Sequence, residues 1–206
     1  MTPPRNTRVV LDVSELPDIA FGPSDIMWWG TLGFVVIEGF TLVLCAVVYI
    51  YLTQNFTAWP PPGTPRPSLG VPTVQVALML LGIPVVGWTA RRARDLDLSA
   101  VRRGLVAASL FNAAFVGLRC WELLRALNVK WDANAYGSAQ WLILCMHGTL
   151  LLVELVEITG MALIFWFAPV EEKHFSGVVE MTFYYGFMVL IWVPLYLLCF
   201  WLPRLL

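Results

Sequence analysis

The stretch WLILCMHGTLLLVELVEITGMALIF, residues 141–165, decides the fold class of this chain. It is long and apolar enough to cross a lipid bilayer, which takes about 20 residues of α-helix. Three ionisable residues interrupt it: His147, Glu154 and Glu157. Because a charge at the centre of a bilayer costs about 3 kcal/mol on insertion scales, we expect each of these groups to face a partner, a cavity or another subunit.

The composition of the whole chain is that of a membrane protein. Of its 206 residues, 59% are apolar and only 13% are charged, against roughly 25% charged residues in an ordinary soluble domain. The net charge of -1 provides no large basic field, so we expect no nucleic-acid partner. The four cysteines lie in apolar runs without a CxxC pair, which is typical of small buried residues rather than metal ligands.

Five stretches are long enough to span the membrane as helices, where each backbone amide must be satisfied within its own segment. We predict an all-α protein in which a polar N-terminal arm, residues 1–27, precedes a single five-helix transmembrane domain, residues 28–206. The arm has no continuous apolar core, so we expect no cleaved leader. The predicted spans are roughly 28–53, 73–91, 103–127, 140–168 and 178–203.

The distribution of Lys and Arg predicts the orientation. The loop RRARDLDLSAVRR, residues 91–103, carries five arginines, and with Arg5, Arg8 and Lys173 it gives eight basic residues on one side against four on the other. Cytoplasmic loops collect basic residues. The N-terminus is therefore predicted to be cytoplasmic and the C-terminus outside. Trp59, beside the prolines of WPPPGTPRP, is interpreted as an anchor at the membrane interface.

Ionisable residues inside the spans are the candidate site residues. They are Glu38, Arg119, Glu122, His147, Glu154 and Glu157. His147, Glu154 and Glu157 fall near one stripe of the fourth helix, and Arg119 and Glu122 lie one turn apart on the third. The set is interpreted as one internal network, in which Glu122, or Glu154 and Glu157, balance the charge of Arg119. Three roles remain open: hydrogen bonding between helices, contact with a partner subunit or lipid headgroups, and a proton or ion route.

The motifs for redox or hydrolytic chemistry are missing from the sequence. The only histidines are His147 and His174. His147 does not follow a glutamate by three residues, and the one Glu-x-x-His, from Glu171 to His174, lies in the charged loop PVEEKHFSG, whereas a di-iron helical bundle requires this motif on two helices. No dinucleotide-binding glycine motif, P-loop or nucleophile elbow occurs. We therefore predict no metal site and no catalytic residue in this chain.

Several of these residues resemble subunit III of the haem-copper cytochrome c oxidases, in its short five-helix bacterial form. Glu38 in WWGTLGFVVIEGFTLVL matches the family's membrane-buried carboxylate, and CWELL, with Glu122, is similar to its aromatic-Glu-aromatic segment. The best match is AYGS, residues 135–138, followed by His147 and Gly148 at the family's spacing. The chain departs from the family where Leu150 and Arg119 replace a His and a Gln, and where Gly186 and Val189 stand in place of a His and an Asp.

The resemblance implies a function and a set of partners. It implies a non-catalytic accessory subunit of the aerobic respiratory chain, in a bacterial inner membrane, that packs beside catalytic oxidase subunit I. The family's helices form two arms around a cleft that holds phospholipid, near the proton-uptake side of the catalytic subunit. Haem and copper are then expected in the partner subunits and not in this chain. We expect the first two helices to form one arm and the last three the other.

Two other functions agree with parts of the sequence. An accessory subunit of a nitric oxide reductase-type complex would suit the departures in the last helix. An independent small transporter would predict internal repeats with broken helices at matching positions, and no such self-similarity surrounds Pro84 or Pro194.

Overall fold

The computed structural model describes residues 19–206, and most of the predicted N-terminal arm, with Arg5 and Arg8, lies outside the described residues. Five helices in the described part are long and apolar enough to cross a membrane, which confirms the predicted fold class. In chain order they are α1 (Ile26–Thr53), α2 (Gly70–Arg94), α3 (Leu98–Trp121), α4 (Ala135–Phe167) and α5 (Lys173–Tyr196).

Polar caps set where several helices begin. The side chain of Asp25 accepts the backbone N–H of Met27 at the start of α1, and Asn134 accepts that of Gly137 at the start of α4. These bonds satisfy amides that have no partner within the helix. Between α1 and α2, residues 54–69 form no helix, as expected for a segment rich in proline.

Two helices continue into a π-helical turn. α3 extends through Glu122–Ala126, where the Leu127 N–H donates to the Glu122 carbonyl at 2.8 Å. α5 extends through Leu197–Trp201, three residues after Pro194, and ends in a short helix α6 (Leu202–Leu205). Such turns shift the face that a helix presents and are frequent at functional sites. The first of them begins at Glu122, one of the predicted site residues.

The packing order of the helices differs from the expected two arms. α2 packs against α3 and α5, α3 packs against α4, and α1 lies against α4 and α5. α1 and α2 make almost no contact, so assigning them to one arm was wrong. The physical reason is that the long proline-rich loop between them lets consecutive helices separate in space. Although α1 contacts both α4 and α5, a cavity remains between the three helices.

The helices divide the protein into two ends. The first end holds the start of α1, the turn between α2 and α3, and the loop between α4 and α5; the second end holds residues 54–69, residues 127–134 and the C-terminus. Large apolar side chains are exposed all along the helices, most of all on α1. Exposed apolar surface of this extent is expected where helices face lipid.

Candidate functional site

The six ionisable residues predicted from the sequence fall into two groups, so a single network was wrong. The first, the arginine cluster, lies towards the second end of the molecule and consists of Gln75, Arg119, Glu122, His147 and Trp192. The second, the carboxylate cluster, extends from the first end towards the middle of the helices and consists of Glu38, Glu154, Glu157, Glu180 and Tyr184.

Arg119 and Glu122 form the centre of the arginine cluster. Arg119 Nη1 lies 2.6 Å from Glu122 Oε2, and each residue is only 2% exposed. Gln75 of α2 donates from Nε2 to the same carboxylate oxygen at 3.0 Å. This geometry confirms the predicted pairing of Arg119 with Glu122. Glu154 and Glu157, the other predicted partners, form no ion pair with it among residues 19–206.

Aromatic rings enclose the guanidinium of Arg119. Its Cζ lies 4.2 Å from the ring centre of Trp192 and 5.5 Å from that of Phe115. Arginine stacks well on aromatic faces because its planar charge is weakly hydrated. The His147 ring is stacked on the same tryptophan, with 4.5 Å between the ring centres. The cluster therefore joins α2, α3, α4 and α5 around one buried charge pair.

Gly148 makes room for the arginine side chain. A Cβ atom at this position would lie 3.0 Å from Arg119 Cγ, which is tighter than ordinary van der Waals contact. His147, the preceding residue, is fully buried, and its Nε2 lies 3.4 Å from the Met188 carbonyl of α5. The His-Gly pair thus places a ring against α5 and leaves space for a side chain from α3.

The carboxylate cluster contains no close ion pair within the described part of the chain. The Tyr184 hydroxyl of α5 donates to Glu38 Oε2 of α1 at 2.5 Å. Glu154 is 1% exposed and lies beside the Asn112 amide of α3, but neither side chain completes a hydrogen bond with any described residue. Glu157 is exposed, unlike its neighbours His147 and Glu154 on α4.

A cavity of about 360 Å³ opens in the gap between α1, α4 and α5. Glu38, Glu157 and Glu180 line it together with Tyr184. The rest of its wall is mostly apolar: Ile26, Met27, Gly30, Thr31, Phe34, Val153 and Met181. A cavity of this size accommodates a small organic group or part of a chain.

Trp59 does not face the lipid, and its interpretation as an interface anchor is corrected. It is 2% exposed and packs edge to face on Tyr49 and Tyr136, with ring centres 5.4 Å and 5.2 Å away. An interfacial anchor needs an exposed ring with its N–H at the headgroups. The proline-rich loop instead folds this tryptophan back between α1 and α4, where it fills the core.

Uncharged polar residues were missed because only ionisable residues were counted in the spans. Gln75, Asn112 and Gln140 are buried, and Tyr184 supplies the hydroxyl that Glu38 accepts. Gln and Asn residues inside apolar helices could have been identified from the sequence, since a buried side-chain amide also needs hydrogen-bond partners. In residues 19–206, no three His, Cys, Asp or Glu side chains are grouped closely enough to hold a metal ion.

These features define a class: an integral membrane bundle of five helices, joined by buried polar clusters and bordered by a carboxylate-lined cavity. No protein-family model matches the chain. It is 23% identical over 192 residues to the protein named cytochrome c oxidase subunit 3 of Thermostichus vulcanus, covering 91% of this chain and 92% of the relative. It is 22% identical over 184 residues to the protein of the same name from Synechocystis sp., covering 87% of this chain and 77% of the relative. The resemblance seen in the sequence motifs is thus confirmed over most of the chain.

Proposed function

We propose that this chain is a non-catalytic accessory subunit of a haem-copper cytochrome c oxidase. The observation that carries the proposal is the similarity to two cyanobacterial proteins named as subunit 3 of that enzyme, which covers about nine-tenths of the chain. Haem and copper then reside in the partner subunits, of which the catalytic subunit I is the principal neighbour.

The chemistry of the buried groups supports this role. Arg119 and Glu122 neutralise each other, and aromatic rings and Gln75 surround the pair without an open position for a substrate. A buried ion pair of this kind is costly to break, because removal of one partner leaves an uncompensated charge. The arginine cluster therefore suits a structural element that holds four helices in one arrangement.

The second part of the proposal concerns the partners outside the chain. The subunit stabilises the catalytic subunit during turnover and holds phospholipid near its proton-uptake side. The cavity beside α1 supports a lipid-holding role, since it combines a mostly apolar wall with polar groups at several depths. The exposed apolar surface of α1 supplies area for lipid or for a neighbouring subunit.

We propose a bacterial inner membrane as the location, with the N-terminus cytoplasmic. The basic residues at the first end of the described part support this orientation: Arg91, Arg92, Arg94, Arg102, Arg103 and Lys173. Four basic residues lie towards the second end, namely Arg66, Arg125, Lys130 and Arg204. The excess favours a cytoplasmic first end by the positive-inside rule.

Among the three functions that agree with the sequence, the oxidase is favoured over a nitric oxide reductase-type complex and over a transporter. Both named relatives are oxidase subunits, and the similarity covers more than three-quarters of each of them. A copper assay of the purified particle tests this choice, because the resemblance to the oxidase implies copper in the partner subunits.

The test is purification of the tagged chain from its native membranes in mild detergent. We expect it to carry haem and copper in fixed ratio to the tagged chain, and mass spectrometry should identify a catalytic oxidase subunit in the same particle. A control membrane that expresses the tag alone sets the background. Recovery of the chain without haem, from membranes in which oxidase activity is present, would contradict the proposal.

A further inference from the structure

A patch of positive charge lies at the second end of the molecule. It consists of four basic residues, of which the first three are exposed and the last is half-buried: Arg66, Arg125, Lys130 and Arg204. In the segments that connect or follow the helices at this end, Asp132 is the only acidic side chain among the described residues. None of the four cations forms an ion pair with a described carboxylate. This group, called the cation patch below, therefore carries positive charge that nothing in the described part neutralises.

Hydrogen bonds assemble the cation patch from three parts of the chain. The Asn128 side chain donates from Nδ2 to the Arg66 carbonyl at 3.2 Å, and Arg204 Nη2 donates to the Pro67 carbonyl. The other two cations of the patch lie within three residues of Asn128 in the chain. These bonds fix the proline-rich loop against the loop between α3 and α4. The four cations therefore lie on one surface of the folded chain.

Membrane topology does not account for these cations. Basic residues collect on the cytoplasmic side, which is the first end in the orientation proposed above, whereas the patch lies at the other end. Arg125 is four residues, or about 6 Å along the helix, beyond the exposed Trp121. Exposed tryptophans mark the headgroup level, and the polar layer on each side of a bilayer is about 5 to 7 Å thick. The patch therefore begins at the water-facing edge of that layer.

An exposed aromatic ring lies within the patch. Trp131, between Lys130 and Asp132, is 62% exposed. Tryptophan and arginine are enriched among the residues that contribute most to binding at protein interfaces. A lipid headgroup offers a single phosphate on a mobile molecule, whereas an acidic protein segment offers several carboxylates on one backbone. The second kind of ligand matches several cations that the fold already holds together, because little ordering is left to be done on binding.

We propose that the cation patch binds an acidic extramembrane segment of a neighbouring subunit. The exposed arginines can each hold a carboxylate through two parallel hydrogen bonds, and Lys130 adds a point charge. Trp131 packs against the same segment. Arg204 already donates to the carbonyls of Phe200 and Pro67, so it positions the loop. The inference goes beyond the proposed function and needs from it only that the chain has a neighbouring subunit.

The experiment uses the distribution of lysine. Residues 1–206 contain two lysines, Lys130 in the patch and Lys173 at the first end. A water-soluble carbodiimide activates a carboxylate, and a lysine amine in contact with it displaces the urea to form an amide. In the complex purified in mild detergent, we expect Lys130 to be joined to an Asp or Glu of a second polypeptide, within a peptide of net negative charge. Lys173 and Glu171, with Nζ and Oε2 2.6 Å apart, supply the internal control for the reagent.

Variants test which charges hold the segment. Asp132→Asn removes the nearby carboxylate of the same chain and should leave the cross-link between the two polypeptides in place. The double variant Arg66→Gln/Arg125→Gln should lower its yield by about tenfold, since charge complementarity across the interface is lost. The matched control is Arg91→Gln/Arg103→Gln, which removes two exposed cations at the first end and should leave the yield unchanged.

Three results would overturn the inference. The first is that Lys130 joins no second polypeptide although Lys173 and Glu171 are cross-linked in the same particles. The second is a cross-link to a peptide without net negative charge. The third is phosphatidylglycerol that native mass spectrometry finds retained by the unaltered complex and lost from the double variant at Arg66 and Arg125, because the patch then binds lipid headgroups. Haem and copper are assayed in the same particles. The expected cross-link in particles without these metals supports this inference and counts against the proposed function alone.

Discussion

Arg119 Nη1 and Glu122 Oε2 lie 2.6 Å apart inside the bundle, on consecutive turns of one helix. At the surface, Lys173 Nζ and Glu171 Oε2 lie at the same distance, but both side chains are more than half exposed. The two pairs differ in burial and not in length. Burial decides how much stability is lost when each pair is broken. Water screens the charges of the exposed pair, whereas removal of one buried partner leaves an unpaired charge in an apolar interior.

Glu122→Ala should destabilise the protein strongly. The expected loss is about 3 to 5 kcal/mol, since Arg119 would stay buried without its counter-charge. Thermal unfolding of the purified protein measures it. Glu171→Ala is the control and should leave the midpoint unchanged. The double variant Arg119→Leu/Glu122→Leu should recover much of the loss, and equal midpoints for Glu122→Ala and Glu171→Ala would refute the buried pair.

Gly148→Ala should displace the Arg119 side chain. The added methyl would lie 3.0 Å from Arg119 Cγ, close to the backbone of α3 where the arginine has little freedom to move. Overpacking of this kind costs about 1 to 3 kcal/mol. Gly160→Ala on the same helix is the matched control, because a Cβ there meets no described atom within 4 Å. A shift in the unfolding midpoint for the first variant alone supports the close packing, and equal shifts argue against it.

Tyr184→Phe should weaken the contact between α5 and α1. It removes the hydroxyl that donates to Glu38, at an expected cost of about 1 to 3 kcal/mol for a carboxyl left without that donor. In a Glu38→Leu background the same change should cost almost nothing. Tyr185→Phe removes a hydroxyl that donates to the Met79 carbonyl instead, so its effect should be the same in both backgrounds. A double-mutant cycle on unfolding midpoints tests this, and absence of coupling between Tyr184 and Glu38 would contradict it.

Trp59→Ala should behave as a core substitution. The ring is enclosed by Tyr49 and Tyr136, so its loss leaves a cavity that costs about 3 to 5 kcal/mol. Trp29 is 59% exposed, and Trp29→Ala should change stability by no more than about 0.5 kcal/mol. Unfolding midpoints of the two variants are compared. A large decrease for Trp59→Ala alone shows that Trp59 is a core residue, whereas equal changes for both variants would indicate that both tryptophans are membrane anchors.

Asp97 should make the turn between α2 and α3 sensitive to acid. The Ala100 backbone N–H, and then the Ser99 hydroxyl, hold the pKa of its carboxyl below the usual range. A lowered folded-state pKa means that this contribution to stability is complete above about pH 4 and is lost as the pH falls through the folded-state value. Asp97→Asn keeps a capping side chain without a titrating group. Its unfolding midpoint should fall less than that of the unaltered protein on acidification, and parallel curves would disprove the effect.

The sequence by itself determined the five helices and their approximate ends. Each span supplies enough apolar residues to cross a bilayer, and proline-rich or charged segments separate them, so the decisive information is local. Of the six ionisable residues that it singled out, Arg119, Glu122, His147 and Glu154 are buried, whereas Glu38 is half-buried and Glu157 is exposed. Glu122, one of the partners that the sequence offered for Arg119, is the one that pairs with it, one turn away on the same helix. The sequence motifs also carried the resemblance to subunit III.

Only the tertiary structure decided which helices meet. Helical periodicity tells which side chains share a face, but the neighbour of that face depends on the order of helices around the bundle. That order separates α1 from α2, divides the ionisable residues into two clusters, and opens the carboxylate-lined cavity beside α1. The tertiary structure also buries Trp59 in the core. The loop is long enough to fold back, so it can bury a residue whose local sequence is typical of the membrane surface.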